Sequence, residues 1–79
     1  MRYESRLMGG LDIGTTKVSA LVGERCGDRA RVIGNGVTTA EGLKQGVVVD
    51  IDKATRSVVR AVREAEKMAG AKVRRFNVG

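Results

Sequence analysis

The sequence predicts an α/β unit of order β-β-β-α-β, and three observations carry that expectation. Residues 7–13, 17–24 and 31–39 are extended, largely apolar runs separated by short turns of Gly, Thr and Asp. Residues 51–69 then repeat their apolar positions in steps of three and four, the period of a helix with one buried face. After Gly70, a natural helix stop, residues 73–78 return to an extended pattern.

Taken in order, residues 1–6 are short, charged and without periodicity, and read as a flexible tail. In the first strand, 7–13, alternation places Leu11 and Ile13 on one face and Gly10 and Asp12 on the other. The second, 17–24, is dominated by Val18, Ala20, Leu21 and Val22. Residues 25–28 form the next turn, where Gly27-Asp28 suits a two-residue hairpin loop. The third strand, 31–39, is interrupted by Gly34 and Gly36, a sign of a bulge or of close backbone approach. Three strands joined this way make an antiparallel meander.

Residues 40–46 read as a polar connection and 47–49 as a short extended run. Asp50 can cap the helix, and Asp52 in its first turn suits the helix dipole. The predicted apolar face is Ile51, Ala54, Val58, Val62, Ala65 and Ala69, with Ala61 and Met68 beside it. Lys53, Arg56, Arg60, Arg63, Glu64 and Lys67 take the opposite face. Packing on a sheet accounts for this helix better than a membrane surface, since the apolar face is alanine and valine without Trp, Phe or Leu. A strand after a crossover helix lies parallel to its neighbour through a right-handed connection, so the fourth strand is expected parallel to the first. One helix covers one face of such a sheet, and the chain reads as incomplete, ending inside its fourth strand.

Seventy-nine residues bury only about 60% of their unfolded surface, so the core is thin. Tyr3 and Phe76 are the two aromatics. The single cysteine, Cys26, excludes an internal disulfide, and with a short charged start it points to a reducing, cytosolic setting. No apolar run approaches the roughly 20 residues of a membrane span. The net charge is +6, spread along the chain without interleaved aromatics, which argues for no nucleic-acid partner. The absence of histidine rules out Cys/His nucleophiles and Cys/His zinc sites. Capping or solubility accounts for Glu24, Asp28, Glu41, Asp50 and Asp52, and no catalytic pair is assigned among them.

The stretch richest in chemistry is residues 10–23: strand, Gly14-Thr15-Thr16 turn, strand. The turn offers consecutive backbone N–H groups and two hydroxyls with little bulk, and Asp12 stands just before it. A nucleotide phosphate needs converging donors and a nearby carboxylate for a hydrated magnesium ion. A plain β-hairpin whose turn contains Gly and Thr explains the same residues.

The order β-β-β-α-β, opened by Gly10-Leu-Asp-Ile-Gly-Thr-Thr-Lys17, resembles the first half-domain of the actin, heat-shock chaperone and sugar-kinase superfamily, whose fold is ribonuclease H-like. The succession 17–24, then Gly42-Leu-Lys-Gln-Gly-Val-Val-Val-Asp50, then 57–69 narrows the likeness to the FtsA family of bacterial cell-division proteins, over roughly residues 7–79. That resemblance implies an ATP-binding, actin-like protein that polymerises beneath the membrane and anchors the tubulin-like FtsZ ring there. It implies that Asp12 helps place Mg2+ and that Gly14, Thr15, Thr16 and Lys17 hold the ATP phosphates. It implies also that the second phosphate loop, the adenosine-contacting segment, the filament subdomain and the C-terminal membrane helix lie beyond Gly79. Residues 7–79 would then be the N-terminal part of an actin-like ATPase subdomain, unable to catalyse alone. A sugar-kinase-like phosphotransferase would share Asp12 to Thr16, and pilus-assembly or reactivating-factor relatives would share the hairpin and crossover helix.

Overall fold

The computed structural model describes residues 6–44 and 47–78. The expected tail lies almost wholly outside them, as do Gly79 and part of the 40–46 connection. Alternating apolar positions in the first three runs give β1 (Leu7–Ile13), β2 (Lys17–Cys26) and β3 (Arg29–Thr39). β1 and β2 pair antiparallel from Leu7↔Glu24 to Ile13↔Val18, and β2 and β3 pair antiparallel from Lys17↔Thr39 to Cys26↔Arg29. The second hairpin therefore turns on Gly27 and Asp28 alone. β2 and β3 each run two residues further into the turn than the sequence predicts, and Cys26 ends a strand.

Two more short strands, β4 (Leu43–Lys44) and β5 (Val47–Val48), pair as a small separate hairpin where the sequence predicts a connection and an extended run. Asp50 then caps α1 (Ile51–Ala69), its carboxylate accepting the Lys53 N–H at 3.0 Å. The helix stops at Gly70, whose φ of 70° lets its N–H reach back to the Glu66 and Lys67 carbonyls. β6 (Phe76–Val78) completes the sheet parallel to β1, Gly9 opposite Phe76, giving the order β3-β2-β1-β6. It starts three residues later than predicted because Val73 has other partners. Its N–H goes to the Glu66 carboxylate at 2.9 Å and its side chain into the core.

α1 covers one face of the sheet. Val18, Ala20 and Val22 of β2 are fully buried under it, with Ala61 and Ala65. The helix face is rotated from the predicted one: Ala54, Ser57, Ala61 and Ala65 are buried, while Ile51 and Met68 are 74% and 63% exposed. Gly34 and Gly36 explain the rotation. A Cβ on Gly36 would collide with the Ala61 carbonyl oxygen, and one on Gly34 with that of Ala65. The backbones of β3 and α1 thus touch, and only small helix residues fit between them. Val58 and Val62 flank that seam, half-buried. The register shift at Val22/Gly23 places the expected bulge in the same strand pair.

Ser57 is the polar member of this seam, with no exposed surface. Its hydroxyl donates to the Lys53 carbonyl at 3.1 Å and accepts the Glu41 N–H at 3.0 Å. Thr38 adds a bond from its hydroxyl to the Ser57 carbonyl at 2.9 Å. These bonds fasten the end of β3 and the following loop to the helix.

A candidate phosphate-binding hairpin

The opposite face of the sheet is open, and Asp12 stands on it. In the antiparallel register Asp12 is opposite Ser19, which is opposite Val37 on β3. Next along the sheet come Gly10, Leu21 and Asn35, with Asn77 of β6 beside Gly10. These residues line a shallow concavity with the Asp12 carboxyl at one end. Asp12 is exposed.

Beyond Ile13 and Val18, residues 14–17 reverse the chain. The Gly14 N–H donates to the Lys17 carbonyl at 2.9 Å, closing the turn. A Cβ there would lie 3.1 Å from that oxygen, a tight contact that glycine avoids. Ala40 ties the loop to the end of β3 through a 2.9 Å bond from its N–H to the Thr16 carbonyl. Among the described residues, no backbone bond consumes the N–H of Thr15 or Thr16. Both threonines and Lys17 are exposed, so two amides, two hydroxyls and an ammonium present themselves at one tip.

Asp12, Gly14, Thr15, Thr16 and Lys17 are therefore brought together, with one division of labour that the sequence did not reveal. Gly14 spends its amide inside the turn. No group of three Asp, Glu, Cys or His side chains suited to a metal occurs among the described residues. A magnesium ion at Asp12 would meet one protein carboxylate and otherwise water and phosphate oxygens, which its chemistry favours. Ser19, Asn35 and Asn77 were missed as neighbours of Asp12. Strand alternation was sufficient to place Ser19 on that face.

A second charged group lies at the far end of β2. Glu24 meets Arg31 at 3.2 Å and Arg6 at 3.6 Å, and the Cys26 thiol lies 3.5 Å from its carboxylate. The thiol hydrogen bond first, with the Arg6 and Arg31 guanidinium groups, holds the Glu24 carboxyl below its ordinary range and outweighs the opposing effect of desolvation. Nothing in this arrangement approaches the hairpin tip.

The chain is similar to curated proteins described as cell division protein FtsA. The relative from Enterococcus faecalis is 46% identical over 70 residues, 89% of this chain. That from Pseudomonas aeruginosa is 47% identical over 75 residues, 94% of the chain, and that from Bacillus subtilis 44% over 69 residues, 87% of the chain. Over these residues, the chain belongs to the FtsA family. It spans 16% of the E. faecalis FtsA and 18% of the P. aeruginosa one, about a sixth of their length. No family model matches. Among solved structures, a glycerol dehydratase reactivase superposes with a TM-score of 0.72 and 21% identity, over 92% of this chain and 12% of that one. At that identity the likeness shows the fold alone, the β-β-β-α-β unit. Among the described residues of this FtsA-family chain, no helix is long and apolar enough to cross a membrane.

Proposed function

We propose that the hairpin is one wall of an ATP site in an actin-like cell-division protein of the FtsA type, which anchors the FtsZ ring at the inner face of the membrane. The observation that carries this reading is the tip itself: the uncommitted amides of Thr15 and Thr16 beside the exposed Asp12 and Lys17. Two neighbouring N–H groups on a small-residue turn suit phosphate oxygens, and Lys17 adds a point charge. Asp12 would hold Mg2+ through its water shell, with the ion neutralising the phosphates. Bound magnesium would supply charge neutralisation; the chain's own residues position the phosphates and leave the sheet's open face to the rest of the ligand. FtsZ, self-association into filaments and the membrane are partners through sequence outside these residues.

The test is a chimera in which residues 7–78 replace the matched stretch of E. faecalis FtsA. The chimera should bind Mg-ATP, and Asp12→Ala should weaken binding at least about tenfold in magnesium with little effect in EDTA. Equal affinity of the variant in both conditions would overturn the assignment of Asp12. A sugar-kinase reading would be favoured instead by sugar-dependent ADP release.

A further inference from the structure

The seam between α1 and β3 is built of repeating rungs. The Ala65 carbonyl oxygen faces Gly34 and the Ala61 carbonyl oxygen faces Gly36, backbone against backbone. One step further, four residues back along the helix and two forward along the strand, the Ser57 carbonyl faces Thr38. There the contact is a hydrogen bond from the Thr38 hydroxyl, at 2.9 Å. The steps match because four helical residues rise about 6 Å and two strand residues about 6.6 Å. Size would admit alanine at this rung, as at 54, 61 and 65, yet the residue is serine and has no exposed surface.

The serine hydroxyl is used where β3 ends. The strand stops at Thr39, so the amides that follow leave the ladder and need other partners. The Ala40 N–H donates to the Thr16 carbonyl at 2.9 Å, and the Glu41 N–H to the Ser57 hydroxyl at 3.0 Å. The hydroxyl proton goes to the Lys53 carbonyl at 3.1 Å, which leaves a lone pair for Glu41. Thr38 and Glu41 are thus bonded to the same helix residue, one through its carbonyl and the other through its hydroxyl. Ala40 is held between them, and Ala40 in turn holds the tip of the first hairpin.

We propose that Ser57 is a positioning residue for the hairpin tip. From inside the seam, without touching a ligand, it holds residues 38–41 so that Ala40 fixes the Thr16 carbonyl and with it the turn that presents the Thr15 and Thr16 amides. Its consequence for a ligand rests on the phosphate reading; its geometry rests on the hydrogen bonds alone.

Amide exchange in the chain without ligand, followed by NMR, reads the geometry. Ser57→Ala should speed exchange at Ala40 at least about tenfold relative to Ala20 in the middle of β2, because the end of β3 then opens without the rest of the sheet. Ala65→Gly loosens the same seam at Gly34, about 20 Å along the strand from Ala40, and should leave that ratio within about twofold. In the E. faecalis chimera, Ser57→Ala should weaken Mg-ATP binding at least about fivefold and Ala65→Gly less than about twofold. Equal exchange ratios in the two variants, or an unchanged Mg-ATP affinity in Ser57→Ala, overturns the proposal. A parent chimera that does not bind Mg-ATP sinks the phosphate reading instead, and the exchange ratio still decides whether Ser57 holds the tip. If Ser57→Ala does not fold, Thr38→Val removes the other bond to the same residue and should raise the ratio at least about threefold.

Discussion

The two faces of this sheet are built on opposite rules. On the helix side, Val18, Ala20 and Val22 are fully buried, two glycines let backbones touch, and the buried serine has partners for both donor and acceptor. On the other side Asp12, Leu21, Asn35 and Val37 are exposed, and the hairpin tip keeps two amides unspent. The same strands supply both faces, one residue out of phase. Burial is concentrated on the helix side, and the polar groups of the hairpin stand where substitution costs the fold little.

The largest effect that should separate the faces is at Gly36. Gly36→Ala puts a methyl group into the Ala61 carbonyl and 2.8 Å from the Glu64 Cβ, so helix and strand must part. Overpacking of this kind should cost about 3 kcal/mol, since backbone atoms have no rotamer to yield. Asn35→Ala, the next residue on the open face, should change stability by less than about 0.5 kcal/mol. Urea unfolding of both variants measures the contrast, and equal midpoints would mean that the helix does not press on β3 as described.

Serines make a smaller version of the same comparison. Ser57→Ala leaves the Glu41 N–H without its partner in a dry seam and should cost about 1–3 kcal/mol. Ser19→Ala, facing the open side across from Asp12, should stay within about 0.5 kcal/mol. A Ser57→Ala loss as small as that of Ser19→Ala would show that water reaches the seam.

Legibility in the sequence follows the same division. Helix bounds were readable to the residue because Asp50 and Gly70 act through local backbone chemistry. Strand order was readable because alternation and short turns leave few topologies. The buried face of the helix was misplaced because hydrophobicity ranked Ile51 and Met68 above Ser57, whereas the deciding quantity was size against Gly34 and Gly36, which lie on another element and leave no mark on the helical period. The β4–β5 hairpin escaped because two-residue pairings leave no periodic trace. At the hairpin tip the residue types were legible, but that the Gly14 amide is spent inside the turn is a matter of geometry.

The smallest expected effect lies at Glu24, where β2 ends away from both seam and tip. Its carboxyl is held below the ordinary value of 4.5, chiefly by the Cys26 thiol and then by Arg6 and Arg31. A depressed carboxyl stabilises the fold while ionised, so its contribution is present above pH 4.5 and is lost as pH falls through the lower folded value. Glu24→Gln mimics the protonated form at every pH. Urea midpoints of the two proteins should therefore differ slightly above pH 4.5, with the parent higher, and converge below it. Because the group sits at the surface, 0.5 M NaCl should shrink the difference further. Curves that stay parallel down to pH 3 would mean that the ion pairs do not hold the end of β2, and that the hairpin loop at Gly27 alone sets where the strand stops.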